Sequence, residues 1–263
     1  NVGSQRTQGV SGTVKYSPVY HPEERINWTL SASFKHQKAK YEDIGNSLDQ
    51  FNKENLNTSL VRYYDGGSPT ALWAVRSLGF NPSDGRELFL TKEGTYTFEY
   101  DTEDEVVVGN SEPKLEGVLG STLYWKDFSF SLYFRYSLGA DVFTEATYNK
   151  VENISLAGLK SNQDKRALHD RWQKPGDAKF KGISLTETTP ISSRFVLREN
   201  YIKAESISVG YDFESQAVQK LGIQSLRLQA NTTDLFRISS IKEERGIEYP
   251  FARSFSFSLS AMF

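Results

Sequence analysis

Residues 251–263 read Phe-Ala-Arg-Ser-Phe-Ser-Phe-Ser-Leu-Ser-Ala-Met-Phe. In an extended chain Phe255, Phe257, Leu259, Ala261 and Phe263 share one side, and Ser254, Ser256, Ser258 and Ser260 the other. A period of two belongs to a β-strand, so the stretch predicts a strand with one apolar and one small polar face. The pattern recurs upstream. Phe128, Phe130, Leu132, Phe134, Tyr136 and Leu138 alternate with Ser129, Ser131, Tyr133, Arg135 and Ser137. Leu115, Leu119, Leu123 and Trp125 oppose Glu116, Gly120, Thr122 and Tyr124, and Ile26, Trp28, Leu30, Ala32 and Phe34 oppose Asn27, Thr29, Ser31, Ser33 and Lys35. Ile207, Val209, Tyr211 and Phe213 face away from Ser206, Ser208, Gly210 and Asp212, as Leu226, Leu228 and Ala230 do from Ser225, Arg227, Gln229 and Asn231. A weaker first stretch sets Val10, Val14, Tyr16 and Tyr20 against Ser11, Thr13, Lys15 and Ser17.

Seven stretches thus share one design, each near the roughly 9–11 residues that a tilted strand needs to cross a bilayer. A soluble antiparallel sandwich also alternates. Two features favour the membrane. The polar faces are small or charged, as a wet lumen requires, and aromatics gather at strand ends like interface girdles. The connections also alternate in length: Tyr20–Arg25, Lys126-Asp127 and Glu214–Gly222 are short, whereas about 39–113, 140–199 and 235–250 are long. Short turns on one side and long loops on the other define an outer-membrane barrel. The expected fold class is therefore all-β, part of a transmembrane antiparallel β-barrel with long extracellular loops and short periplasmic turns. Seven strands cannot close a bacterial barrel, which needs an even number of about eight or more. Open edges in lipid cost several kcal/mol per unpaired group, so the chain is expected to pair with further barrel.

Composition narrows the function. Of 263 residues 38% are hydrophobic, yet 13% are aromatic, including 17 Phe and 14 Tyr. No run of about 18 apolar residues exists, which excludes a transmembrane helix. A net charge of −2 argues against nucleic-acid binding through a basic surface. The absence of cysteine excludes disulfides, thiolate zinc and a cysteine nucleophile. His21, His36 and His169 are far apart, and no phosphate loop, GxSxG elbow or HExxH appears. An enzyme is not expected. The start, Asn1-Val2-Gly3-Ser4, carries neither an initiator Met nor a signal-peptide apolar region, and reads as a processed or partial chain.

The long connections carry their own punctuation. Gly66-Gly67, Asn81-Pro82, Asp84-Gly85 and Glu93-Gly94 separate strand-like runs at Leu72–Leu78, Glu87–Thr91 and Thr95–Tyr100, which predicts structured hairpins. A short helix is expected around Asn162–Trp172, before Lys174-Pro175-Gly176-Asp177 breaks it. The acidic run Glu99, Asp101, Glu103, Asp104 and Glu105 has hard oxygens for calcium but lacks DxDxDG spacing, so a solvated loop is favoured and no cofactor is expected. Among the loop aromatics Tyr63, Tyr64, Trp73, Tyr96, Tyr148 and Trp172, the candidates for ligand stacking are Trp73, Tyr96, Tyr148 and Trp172. Arg135 and Arg227 are expected to pair with lumen carboxylates rather than steer an anion. Lys165, Arg166, His169, Arg171 and Lys174, interleaved with Asp164 and Asp170, read as a mixed-charge helix.

One family matches these motifs in order and spacing. The run Gly109-Asn110-Ser111-Glu112-Pro113-Lys114, then Tyr124-Trp125-Lys126-Asp127-Phe128 and Tyr136-Ser137-Leu138-Gly139-Ala140-Asp141, resembles the SusC-like (SusC/RagA) TonB-dependent transporters of Bacteroidetes outer membranes. The likeness continues in Arg171-Trp172, Ser193-Arg194-Phe195-Val196, Tyr201-Ile202-Lys203 and Ser208-Val209-Gly210-Tyr211, and ends in Thr233-Asp234-Leu235-Phe236 and Tyr249-Pro250-Phe251-Ala252-Arg253-Ser254-Phe255. The resemblance implies seven spanning strands of a barrel of about 22, located in the outer membrane of a Gram-negative bacterium. It implies TonB-driven import of oligosaccharides, with peptides as the alternative cargo and a non-transporting adhesin or porin as a weaker one. Its implied partners are the N-terminal barrel and plug, a SusD-like lipoprotein lid, the TonB complex reached through that N-terminal part, and the barrel-assembly machinery. Phe255, Phe257, Leu259 and Phe263 resemble the assembly signal which that machinery reads, plausible as strand augmentation at an open edge.

Overall fold

A computed structural model describes residues 2–184, 187–213, 220, 222–242 and 253–263. Its larger sheet takes the seven alternating stretches as strands β1 (Ser4–His21), β2 (Ile26–Glu42), β7 (Leu115–Trp125), β8 (Phe128–Phe143), β9 (Val196–Phe213), β10 (Ser225–Thr233) and β12 (Ser254–Met262). Every neighbour in the order β1-β2-β7-β8-β9-β10-β12 is antiparallel, and β11 (Arg237–Ser239) adds a short strand to β9 where only loop was expected. The sheet is open, with β1 and β12 at its edges. A second sheet, ordered β5-β4-β3-β6, is built from β3 (Ala71–Phe80), β4 (Glu87–Leu90), β5 (Tyr96–Thr97) and β6 (Glu105–Asn110).

Register keeps the two faces of the large sheet apart. Trp125 pairs Phe128, Leu123 pairs Phe130, and Phe130 pairs Val209, which pairs Ala230, which pairs Phe257. The polar row runs beside it, through Thr122, Ser131, Ser208, Asn231 and Ser256. A one-residue slip would exchange the two rows, so the alternation itself fixes the pairing. One assignment changes. The register shifts between Tyr16 and Val19, around Ser17-Pro18, and this bulge puts Val19 opposite Trp28 and Tyr20 opposite Asn27. Tyr20 therefore lies on the polar face, not with Val10, Val14 and Tyr16; Pro18, with no N–H to give the ladder, is where such an irregularity is tolerated.

The hydrophobic core is not where a soluble sheet protein keeps it. Ile44, Leu72, Ala74, Val75, Phe80, Phe89, Val151, Ile191 and Phe195 are buried outside the strands of the large sheet, whose own buried apolar residues among those described are the small Ala140 and Ala204. On the large sheet the apolar face is open: Val14 is 64% exposed, Val209 43%, Leu228 42% and Phe257 75%. Phe236 packs on Phe134 at one point of this face, but no second sheet covers it among the described residues, as a sandwich would require. No helix among the described residues is long and apolar enough to cross a membrane. A contiguous apolar face of this extent requires a non-aqueous neighbour.

The turn ends confirm the expected asymmetry in part. His21–Ile26 and Lys126-Asp127 are tight, with Arg25 and Lys126 at positive φ; most of Glu214–Gly222 lies outside the described residues. At this end Trp125, Phe128, Tyr211 and Phe213 form a continuous series of ring contacts, with centroids 6.3, 4.6 and 4.7 Å apart. Amphipathic rings in such a row suit a membrane–water boundary. At the other end β1, β2, β8 and β9 run to 16–18 residues. That exceeds the roughly 9–11 of a span, so these strands project beyond the apolar band and reach further than the loop limits 39, 140 and 199 suggested.

One close approach is a test of the packing. Between Ala32↔Leu119 and Lys35↔Glu116 the β2–β7 ladder is interrupted. Ser33 Oγ accepts from the Val118 N–H at 2.9 Å, and Tyr136 Oη donates to the Ser33 carbonyl at 2.9 Å, across Gly117. A Cβ on Gly117 would stand 2.0 Å from that carbonyl oxygen. Gly117→Ala is expected to cost roughly 1–3 kcal/mol, the usual penalty of overpacking, measured as a lower unfolding midpoint of the full-length protein in detergent. An unchanged midpoint would show that the strands separate easily here.

Candidate functional site

The two long connections build one body at the projecting end. β3 forms a parallel bridge from Val75 to Ser192, the Ser77 N–H donates to Ser193 Oγ at 2.9 Å, and Tyr100 Oη donates to the Ile191 carbonyl at 3.1 Å. The runs expected at 72–78, 87–91 and 95–100 became β3, β4 and β5; β6 was not anticipated. The expected helix shrinks to α2 (Lys165–His169), with Asp164 capping its start by accepting from the Arg166 N–H. In the first connection, α1 (Asp49–Glu54) packs by exchanging hydrogen bonds between Asn52 and the Tyr63 backbone.

Three arginines hold this body, Arg62 and Arg171 buried and Arg194 half-buried, and none was singled out as such from sequence. Arg62 is 2% exposed and pairs Glu105 through 2.7 Å. Burial pushes the Glu105 carboxyl up, against the pull of the Arg62 charge. The same burial, with Glu105 nearby, lifts the Tyr100 phenol well above its usual range. Arg194 reaches Glu152 through 2.6 Å and Glu87 through 3.2 Å, with Phe80 and Phe195 rings 4.6 and 4.2 Å from its guanidinium. Burial works against the Arg194 charge, but hydrogen bonds and charge from Glu152 and Glu87 outweigh it and raise its basicity. Arg171 is buried and donates to the carbonyls of Val151, Glu152, Lys181 and Gly182. Arg171 thus departs from the solvated mixed-charge helix expected of its stretch: it lies beyond α2, clamping loop backbone, because guanidinium is the side chain that can satisfy several carbonyls at once.

The four stacking candidates have different surroundings, and among the described residues no ring contact joins any two of them. Trp73, on β3, lies 5.3 Å from the Tyr64 ring. The pair lines a 250 Å³ cleft with Asp49, Lys53, Lys92 and Glu103. Tyr96 is 73% exposed on β5. Tyr148 packs edge-on against Phe195 at 5.1 Å, and burial pushes its phenol up. Trp172 covers the 81–86 turn, donating to the Pro82 carbonyl at 3.3 Å and lying against Gly85.

The acidic run does not converge. Asp101 accepts from the Glu103 N–H, Asp104 from the Lys92 N–H, and Glu105 is held by Arg62; no carboxylate or imidazole group suited to a metal forms among the described residues. On the polar face of the large sheet Arg135 pairs Glu205 at 2.6 Å and Arg227 pairs Asp212 at 3.6 Å, as expected. The residue that reasoning missed is Glu205, whose place is set by a register shift between Tyr133 and Phe134. Phe255, Phe257, Leu259 and Phe263 are 62%, 75%, 67% and 80% exposed on and just beyond edge strand β12.

An open sheet with one apolar exposed face, a polar opposite face, an aromatic row at the tight-turn end and a folded body at the other defines a membrane-spanning β-wall. No family model matches the chain. Among curated proteins it is 21% identical over 287 residues to TonB-dependent receptor P39 of Formosa agariphila, covering 91% of this chain and 27% of that protein. TonB-dependent receptor P3 of the same organism is 24% identical over 172 residues, covering 65% and 16%. Two solved structures superpose over most of the chain. The RagAB peptide importer in its open-open state gives a TM-score of 0.69 at 15% identity, covering 93% of this chain and 26% of that one. The RagAB peptide transporter gives 0.70 at 15% identity, covering 91% and 26%. In sequence and fold the chain is similar to the SusC/RagA-like TonB-dependent outer-membrane transporters, and its open sheet is consistent with a barrel segment of such a protein. It is located in the outer membrane of a Gram-negative bacterium, and the matched proteins are receptors and importers rather than enzymes. The chain spans about a quarter or less of the length of the curated relatives it matches.

Proposed function

We propose that this chain is wall, extracellular body and assembly segment of a TonB-driven outer-membrane importer, working with a SusD-like lipoprotein lid. The observation that carries the reading is the seven-strand sheet with an uncovered apolar face and two open edges. Those edges are closed by the remaining strands of the barrel, and the projecting body lies outside the cell. The free edge and exposed aromatics of β12 suit strand pairing with the assembly machinery.

The cargo is a peptide rather than an oligosaccharide. The RagAB structures are described as a peptide importer and transporter. In the Tyr64–Trp73 cleft Lys53 and Lys92 stand opposite in charge to Asp49 and Glu103, a mixture that meets the charged ends and side chains of peptides, whereas a neutral glycan needs no such pairing. The double variant Tyr64→Ala/Trp73→Ala is expected to weaken peptide binding about 10-fold, the loss of one aromatic platform. The measurement is calorimetric titration of the full transporter with a defined peptide mixture. Binding of oligosaccharides in place of peptides would reverse the cargo assignment.

A further inference from the structure

The edge of β2 that faces β7 is unpaired over a short stretch. The last β2–β7 pair is Lys35↔Glu116. The ladder stops there: Pro113 has no N–H to continue it, and Lys114 gives its N–H to the Leu138 carbonyl at 2.9 Å. β2 itself runs on to Glu42, held on its other side by β1 in unbroken register. At Tyr41 the edge is taken up again, because the Tyr41 N–H donates to the Gly67 carbonyl and the Tyr41 carbonyl accepts from the Gly66 N–H, both at 2.9 Å. A residue in an antiparallel ladder directs both main-chain groups to one side, and the side alternates along the strand. Gln37 and Ala39 therefore direct theirs as Tyr41 does, away from β1, and there they meet no hydrogen-bond partner among the described residues. From Lys35 to Tyr41 the strand covers about 20 Å at roughly 3.3 Å per residue.

Gln37 and Ala39 are half-buried and line a cavity of about 420 Å³. His36 and Lys38, from the other face of the strand, line it too, so it lies in the plane of the wall rather than on one side. Its opposite wall is already occupied with itself. Thr70 Oγ1 donates to Asn110 Oδ1 at 2.8 Å, Asn110 Nδ2 donates to Ser68 Oγ at 3.3 Å, and Asp141 accepts from the Asn110 N–H at 2.9 Å while pairing Arg198 at 3.1 Å. The other charged residues of the lining, Lys38, Lys114 and Glu112, are of both signs and favour no single ion. What the cavity offers is an extended array of main-chain donors and acceptors.

We propose that this edge binds a stretch of cargo peptide as an added strand, between the end of β7 and Gly66-Gly67. Strand addition recognises a peptide through the backbone that every peptide carries, so the site gives affinity without a sequence requirement. The segment Tyr64–Trp73 joins it to the aromatic cleft: Tyr64 and Trp73 line the cleft, and Ser68 and Thr70 line this cavity. Side chains are read in the cleft and main chain at the edge. As a cargo site it rests on the peptide reading above.

The test is calorimetric titration of the full-length transporter with a short peptide of alternating Val and Thr, a composition that favours strands, and with the same peptide N-methylated at every central amide. Methylation keeps the side chains but leaves no N–H for the Gln37 and Ala39 carbonyls. It is expected to weaken binding about 10-fold, the loss of the edge hydrogen bonds. On the protein, Ala39→Pro removes a donor from the free edge and spares the β1 ladder, since proline is tolerated where the N–H points off the sheet. It is expected to weaken the unmodified peptide about 5-fold. Heat-modifiable migration checks that the variant is assembled; if it is not, the methylated peptide on wild type decides alone. Equal binding of the two peptides by wild type would overturn the proposal and leave the cargo reading standing. Binding of neither, with an oligosaccharide bound instead, would overturn both.

Discussion

Arg194→Met is expected to loosen the entire body at the projecting end rather than one hydrogen bond. Arg194 ties Glu87 of β4 to Glu152 of the second connection, and its guanidinium lies against Phe80 and Phe195. Methionine keeps much of the packing but leaves the buried Glu87 and Glu152 carboxylates without the cation they share, with Arg171 near Glu152 alone. Breaking a buried pair by removing one partner costs about 3–5 kcal/mol, because the remaining charge stays desolvated. Hydrogen exchange in the full-length transporter should then quicken across β3, β4 and residues 144–153, with β7, β8 and β9 below the body unchanged. Arg194→Lys should fall between, since an ammonium cannot bridge two carboxylates as a planar fork does. Unchanged protection in the Met variant would mean that the hydrophobic contacts alone hold the body.

Val209→Arg addresses the wall. Val209 sits on the apolar face, between Phe130 and Ala230 and two residues inside Tyr211 of the aromatic row, and is 43% exposed. A lipid-facing arginine costs roughly 2–4 kcal/mol at the bilayer centre and less towards the interface, so about 1–3 kcal/mol at this depth. Ser208, one residue away, faces the other way and meets Gln229 at 2.8 Å; Ser208→Arg enters a wet polar row and should cost less than about 1 kcal/mol. The readout is the amount of folded, heat-modifiable full-length protein in the outer membrane, with unfolding in lipid vesicles giving the energies. Equal losses for both variants would contradict the assignment of the two faces.

The wall was legible in the sequence because lipid imposes a rule that every strand must obey. Phe128 to Leu138 and Phe255 to Ala261 alternate without interruption, and each partner strand repeats the code, so the two faces follow from period alone. Tyr20 was misread because a single bulge near Pro18 reverses the parity after it, and no periodicity argument sees an inserted residue. The body was legible only in outline. Turn residues at Gly66-Gly67 and Asn81-Pro82 marked hairpins, but Glu105–Asn110 followed an acidic run and looked solvated. Arg62, Arg171 and Arg194 sit among polar neighbours in the sequence, and their burial arises only when two distant connections meet. Trp73 was picked out as an aromatic; its partner Tyr64 and the charged cleft around them depend on the fold of β3.

The cross-links between the two connections also make each depend on the other. Ser77 meets Ser193 across 116 residues, and Tyr100 meets Ile191 across 91. The buried residues of the first connection meet those of the second through these contacts, so either connection alone is an unfinished half. The Thr144 N–H donates to the Phe195 carbonyl at the root of β8 and β9, which places the closing contact beside the insertion of that hairpin. The body is therefore a joint product of chain segments more than ninety residues apart, and loss of the segment between β8 and β9 would leave the first connection with its apolar side uncovered.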